Sequence, residues 1–280
     1  MGQNNVKGEN KMKNSKVMWL CEGAIMVAIA TVLSMIPIIN MPYGGSVTAV
    51  SMLPIIIFAY RYGVGKGLTV GLVYAVIQLM LGVSNLSYAT SFGAAVAIVL
   101  LDYISAFTIL GFSGLLRDKF GGQTGELTVG TVAVCIIRYI CHVITGCTVW
   151  AGVSIPTSDG LVYSLGYNAA YMVPETVVTA AAVWYLARIL NLKTQMPTRL
   201  KRQDDKTVGA LGAVSLLLVV ATVVFDAVMV FFSIQTEDGF DITAIANIDL
   251  KTVLIVTAIG IISAVSLNIF AKLRGKSLKN

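Results

Sequence analysis

Eight apolar runs, most of them long enough to cross a bilayer, leave this chain few folds to choose from. They cover residues 17–39, 47–60, 68–82, 92–116, 127–153, 168–190, 208–233 and 250–273. In hydrocarbon every backbone N–H and C=O has to be paired inside the protein, and a helix does this within one segment, so the runs predict an all-α integral membrane protein. Composition agrees: 56% of the residues are hydrophobic, 12% are charged and the mean hydropathy is +0.82, the balance of a molecule dissolved in lipid. The second and third runs are short against the ~20 residues of a typical span, which predicts shelter from neighbouring helices. The first exceeds the roughly 7–15 apolar residues of a signal peptide and is expected to remain as a span.

Charge orients the runs. A net charge of +6 in a soluble protein would suggest nucleic acid, but here the basic residues sit in tails and loops. The expected surrounding is the lipid bilayer, with no nucleic-acid partner. If the N-terminus is inside, one side collects the lysines of residues 1–16, Arg61, Lys66, Arg117, Lys119, the basic residues of 191–206 and those after 271, while the other collects only Lys251. The positive-inside rule then predicts a multi-pass protein of the cell membrane with both termini cytoplasmic. Residues 1–16 are polar, lack apolar periodicity and read as a disordered cytoplasmic tail. Residues 191–206, basic and containing Pro197, read as a linker on the inner surface. The linker separates a six-helix domain, 17–190, from a two-helix extension, 207–273, and a basic tail, 274–280. Cys21, Cys135, Cys141 and Cys147 all fall in apolar runs at spacings that gather neither metal ligands nor disulfides, and read as small buried hydrophobes.

Almost all the costly polar groups lie between Arg138 and Glu175, with the one histidine among them. Polar groups at membrane depth usually face a cavity or a partner. On the fifth helix Arg138, His142, Gly146 and Trp150 recur every four residues and form a slowly turning stripe. On the sixth, Asn168, Tyr171, Met172 and Glu175 fall at i, i+3, i+4 and i+7, which is one face. The fourth adds Asp102 and Tyr103, with Ser105 on the carboxylate's side. Aromatic rings with carboxylates and an amide suit a small, planar, nitrogen-rich cation. Plainer roles stay open for each residue. Arg138 and His142 could clamp Asp102 or Glu175 between helices; Trp150 and Tyr163 could belong to an aromatic belt. Asn168 could join helices or cap the sixth, and Glu175 could fill the kink at Pro174.

Arg138-Tyr139, His142, Gly146 and Trp150, then Tyr163-Ser164, Tyr167-Asn168 and Tyr171-Met172-x-Pro174-Glu175, resemble the signature of the thiamine-specific S-components of energy-coupling factor (ECF) transporters, the ThiT family. Residues 42–48 resemble that family's first outer loop, and Leu101-Asp102-Tyr103 its acidic-Tyr pair. The resemblance covers about residues 17–190 and implies a six-helix S-component-like bundle, followed here by a C-terminal pair of transmembrane helices. It implies that Asp102, Tyr103, His142, Trp150, Tyr163 and Asn168 line a thiamine pocket; Glu175, from the same polar face, completes the candidate set. Trp150 would stack on a ring, His142 would face the thiazolium, and Asp102, Tyr163 and Asn168 would meet the aminopyrimidine edge. Two departures are visible: Asp102 is shorter than the glutamate of some members, and Gly45 replaces an aromatic residue.

The resemblance further implies a transporter subunit rather than an enzyme, with thiamine as transported ligand and no cofactor or metal. Small residues four apart, Ala24 and Ala28, let helix backbones approach closely. In the family the matching alanines dock the transmembrane coupling subunit, which joins two ATPase subunits. Energy must come from those partners, because Gly275-Lys276-Ser277 has only the tail of a Walker A motif, with Phe270 where its first glycine belongs. The alternative is an autonomous proton- or sodium-coupled secondary transporter for a small cationic heteroaromatic compound, titrating at Asp102 and Glu175. Such carriers often show repeated halves, and this sequence shows none.

Overall fold

Proline cuts the first apolar run short. Helix α1 spans Gly2–Ser34 and ends there, because Pro37 keeps the preceding residue out of helical geometry. The chain then forms an antiparallel hairpin, β1 (Pro37–Asn40) with β2 (Ser46–Thr48), pairing Ile39 with Val47 and Asn40 with Ser46. This corrects the expectation of helix over 17–39 and from 47 onward: the β-branched residues here favour strand between two prolines. Beyond the hairpin Val50 has φ +58°, an unusual position for a β-branched residue, and α2 (Leu53–Tyr62) starts after it.

The computed structural model describes residues 2–41, 44–119, 122–151, 157–194, 196–200, 206–236, 239–240 and 248–277; for 2–16, 148–151, 157–159, 206–208, 234–236, 239–240, 272 and 275–277 it describes backbone alone. The remaining helices are α3 (Val64–Leu81), α4 (Phe92–Leu116), α5 (Gln123–Ala151), α6 (Thr157–Ile189), α7 (Lys206–Ile234) and α8 (Leu250–Ser277). Residues 2–16, expected to be disordered, are helical. Once the membrane segment has nucleated a helix, each further residue adds one hydrogen bond, and no proline stops it. The tail after 273 likewise continues α8 to Ser277.

The protein is an all-α membrane protein, a six-helix bundle of α1–α6 with the pair α7–α8. Among the described residues, six helices are long and apolar enough to span by themselves. Helix α2 is not: its 10 residues reach ~15 Å, half the hydrocarbon thickness. It is instead enclosed on all sides, with Pro54 to Arg61 buried in succession. Helix α6 has 33 residues, but its tyrosines, Asn168 and Glu175 dilute its hydropathy. The main core joins Met52, just before α2, and Ile55, Ile56 and Phe58 of α2 with Tyr74 of α3, Phe107 and Leu110 of α4, and Leu127 and Val134 of α5. Cys135 and Cys141 are buried and Cys147 is half-buried; Cys21, expected inside, is exposed on α1.

Helix α4 departs from regular α geometry. It is α-helical over Phe92–Ala97, π-helical over Ile98–Ser105 and 3₁₀-helical over Ile109–Leu116. The 3₁₀ part lies flush on α3: a Cβ at Gly111 would sit 2.4 Å from the backbone nitrogen of Leu68. The π part rotates the face expected from α periodicity, as the site shows.

A polar latch closes the end of the bundle opposite the hairpin. Arg61 holds Glu22 through Nε (2.6 Å) and Nη2 (3.1 Å), and its Nη1 donates to the carbonyls of Leu192 and Thr194. Gln123 clasps the carbonyls of Ala187 and Leu190 and the N–H of Leu192, fixing the start of the linker to the bundle. Lys193 pairs with Asp118 and with Glu126 (3.3 Å). Its hydrogen bond to Asp118 holds the Lys193 ammonium above its ordinary pKa and the Asp118 carboxyl below its own. The Asp118 contribution is present above the unfolded carboxyl pKa and fades as pH falls through the lowered folded value. The Lys193 contribution is present below the unfolded ammonium pKa and fades only as pH rises through the raised one.

Two outcomes follow for thermal unfolding in detergent. Gly111→Ala is expected to cost about 1–3 kcal/mol by overpacking and to lower the melting temperature. Lys193→Met is expected to differ slightly from wild type near neutral pH, with the difference shrinking below about pH 4 and vanishing only as pH falls through the lowered Asp118 pKa.

Candidate functional site

A cavity of about 710 Å³ lies between the hairpin and the middles of α4, α5 and α6, within the ~300–1,000 Å³ usual for small-molecule sites. The end of α1, the end of α3 and the turn Val83–Tyr88 complete its wall. Gly44 lies against the Asn85 side chain, so the hairpin and this turn meet at the cavity's edge.

Three side chains form a line across the cavity. Arg138 is buried, lies over the Phe107 ring at 4.4 Å and donates from Nε to His142 Nε2 at 3.2 Å. An arginine Nε–H can only donate, so His142 Nε2 accepts and its proton sits on Nδ1. That nitrogen faces Asp102 Oδ1 at 2.8 Å. Arginine thus polarises a neutral imidazole toward the carboxylate. Asp102 reaches this partner from the π-helical stretch, a geometry frequent at functional sites. Ser105, expected on the carboxylate's side, does not line the cavity, because π winding changes the residue phase.

Glu175 is fully enclosed on α6, and its partners come from the hairpin. Thr48 donates its N–H to Oε2 (3.2 Å) and its hydroxyl to Oε1 (2.8 Å), with Ser51 Oγ 3.5 Å from Oε1. The carboxylate therefore ties the roof of the cavity to its wall rather than filling the Pro174 kink. Tyr167 and Tyr171 supply the aromatic side. The Gly45 N–H donates to the Tyr167 hydroxyl at 3.3 Å, and the Tyr171 ring packs edge-on to both Tyr167 and His142. The Tyr171 hydroxyl donates to Asn168 Oδ1 (2.7 Å). Asn168 in turn donates from Nδ2 to the carbonyls of Ser164 (2.9 Å) and His142 (3.3 Å), joining α6 to α5. It lies well inside α6, so the capping role is excluded.

Of the residues singled out in the sequence, Asp102, Tyr103, His142, Asn168 and Glu175 line this one cavity. Tyr103 does so while donating to the Gly82 carbonyl (3.0 Å) and accepting from Asn85 Nδ2 (2.8 Å), which tethers the turn after α3. Tyr163 is not in the lining; it stacks parallel to Tyr167 at 6.4 Å. Positions 171, 167 and 163 rotate by ~40° per step of four while climbing ~6 Å, so the third ring turns out of the cavity. The Trp150 side chain lies outside the described residues, as do Pro42 and Tyr43. Arg138 and Gly146 of the fifth-helix stripe line it too, as do Gln78, Asn85, Thr48 and Ser51, which the sequence did not assign to it. A polar Gln78 in an otherwise apolar helix was the available signal for that side.

Comparison with known proteins decides the family. A sequence profile described as thiamine transporter protein (Thia_YuaJ) matches residues 20–195. The chain belongs to this family, the ThiT thiamine transporters. It is 35% identical to thiamine transporter ThiT of Bacillus subtilis over 185 residues, 62% of this chain and 92% of the relative. It is 25% identical to thiamine transporter ThiT of Lacticaseibacillus paracasei over 193 residues, 63% and 90% of the two chains. A solved structure of ThiT from Listeria monocytogenes shares the fold at TM-score 0.51 and 21% identity, covering 62% of this chain and 94% of that one. The ThiT match ends at 195, so α7 and α8 lie beyond it.

Both departures noted in the sequence acquire a physical setting within the ThiT fold. Asp102, short as it is, spans the gap to His142 from its π-helical position. Gly45 has no room for a side chain: a Cβ there would sit 2.7 Å from Tyr171 Cε1, so Tyr171 supplies the ring on that side. Glu175→Gln keeps the shape of the tie but removes its charge. Since hydrogen bonds to charged groups are worth ~1.5–3 kcal/mol, amide exchange at Thr48 is expected to speed at least about tenfold, measured by hydrogen–deuterium exchange with α3 as internal reference.

Proposed function

We propose that this chain is the high-affinity substrate-binding membrane subunit of a thiamine uptake system, an S-component that captures the vitamin in the cavity beneath the hairpin. The observation that carries the reading is the cavity's charge balance: one guanidinium, already engaged with His142 and Phe107, set against the carboxylates of Asp102 and Glu175. Such a site favours a cation, and the rings of Tyr167, Tyr171 and His142 favour a flat one. Thiamine has a cationic thiazolium and an aminopyrimidine, and the relatives from B. subtilis and L. paracasei are named as its transporters. In this reading Asp102 and His142 meet the cationic ring and its surroundings, Asn168 and Tyr103 fix polar edges, and Trp150 keeps the stacking role that the family resemblance implies.

Delivery relies on an ECF module, a transmembrane coupling subunit with two ATPase subunits. Ala24 and Ala28 are exposed on α1, and α7 packs on α6, leaving that α1 face uncovered. We place both termini in the cytoplasm, supported by the basic residues at the latch end of the bundle. The hairpin and cavity then face outside.

Titration of the purified protein with thiamine, followed by tryptophan fluorescence or calorimetry, is expected to saturate at one site. Asp102→Asn and His142→Ala are expected to weaken binding by about ten- to a hundredfold, the loss of a charge-assisted contact. Unchanged affinity in both variants would place the ligand elsewhere. Uptake into vesicles should require the ATPase module. Uptake by this chain alone, abolished by an uncoupler, would favour the secondary carrier instead.

A further inference from the structure

Helix α7, beyond the part of the chain shared with the ThiT family, reaches the cavity's wall from behind. Its two faces do different things. On one, Ser215 donates to the Ala264 carbonyl (2.8 Å) and accepts from Asn268, and Asp226 accepts from the Thr257 hydroxyl (2.9 Å), so α7 is fastened to α8 by polar contacts. Asp226 is thus paired across the α7–α8 contact. On the other face Ala227 is buried, with Val228, Val230 and Phe231 packed around it. They join Tyr167, Tyr171 and Met172 of α6 and Ile39, Met41 and Val47 of the hairpin in one continuous apolar cluster. In lipid, helices gain nothing from hiding apolar surface, so such a contact persists only where the surfaces fit.

The same tyrosines carry the roof. Tyr167 receives the Gly45 N–H, and Tyr171 leaves space only for glycine at that position. One side of these rings therefore meets the hairpin and cavity, and the cluster behind them contains α7. We propose that the α7–α8 pair is a buttress: Ala227 and Phe231 are positioning residues that hold the tyrosine wall and the hairpin in the closed arrangement, setting how fast ligand enters and leaves. The buttress acts on the closed arrangement with or without ligand. Weakening it should raise association and dissociation rates together and leave the equilibrium constant nearly unchanged, a pattern that general damage to the site does not produce. In its effect on ligand exchange the inference rests on the thiamine reading; in its effect on the hairpin it does not.

The test uses full-length protein. Phe231→Ala removes a ring from the cluster, Ala227→Leu wedges the same contact open, and Phe232→Ala removes a neighbouring ring that is 66% exposed. In ligand-free protein, hydrogen–deuterium exchange at Met41, Gly45 and Thr48 is expected to speed by about tenfold in the first two variants and to stay at the wild-type rate in the third. Stopped-flow with thiamine is expected to show both rate constants rising several-fold, with Kd within about threefold of wild type. Equal hairpin exchange in all three variants would overturn the buttress, as would acceleration spread evenly over α3 and α5. A wild type that fails to bind thiamine, with hairpin exchange still responding to Phe231→Ala, would sink the thiamine reading and leave the buttress standing.

Discussion

A carboxylate enclosed inside a transmembrane helix has to find donors, and Glu175 finds them outside its own helix. The N–H and hydroxyl of Thr48, with Ser51 beside them, come from the hairpin and the turn that follows it. Leaving that carboxylate unpaired would cost several kcal/mol, so the hairpin is drawn down onto α6 at this point. Much of the site follows from that tie. Ser46 and Thr48 reach the cavity, Gly45 comes against Tyr171, and the strained Val50 is held between the hairpin and the start of α2. The fit of roof to wall is thus an electrostatic requirement first and a packing result second.

Inside, the line from Arg138 through His142 to Asp102 solves a related problem. An arginine at this depth needs its charge spread, and here the Phe107 face and the His142 nitrogen receive it. Because Nε must donate, the imidazole is fixed in one tautomer and presents its remaining proton to Asp102. Asp102 keeps further lone pairs for a ligand, while the guanidinium is engaged elsewhere. On the proposed reading, this arrangement lets a cavity that contains an arginine still select a cation.

The fold class and the number of helices were legible because lipid imposes a simple rule on composition, and every apolar run from 17 to 273 contains a helix. Periodicity also placed Arg138, His142 and Gly146 on one stripe, and that stripe faces the cavity. It failed where winding or topology intervened. No α-helical wheel describes residues 98–105, so Asp102 and Tyr103 kept the expected face while Ser105 did not. Tyr163, placed in the pocket by the family resemblance, is carried out of the lining by the slow rotation of a four-residue repeat. The hairpin was invisible as hairpin because Ile36, Ile38, Ile39 and Val47 are as apolar as their helical neighbours. Only Pro37 marks the break. Gln78 and Asn85 could not be tied to α5 and α6 from sequence, since the contact depends on tertiary packing alone.

The extension gives this logic a further step. A roof held only by the Glu175 tie would hinge about that point, since Thr48 lies at its base and Gly45 near its tip. Resistance to hinging has to come from the surface under the tip, which is the pair of rings at Tyr167 and Tyr171. Those rings stand on α6 near Pro174, where one backbone hydrogen bond is missing and the helix is easier to bend. Packing from behind is therefore most effective at this position, and that is where the Ala227 face of α7 lies. Helix α7 can bear on α6 because the Ser215, Asp226 and Asn268 contacts hold it to α8. On the proposed reading, stiffness at the cavity is imported from α7, which lies outside its lining, through Tyr167 and Tyr171, which belong to it.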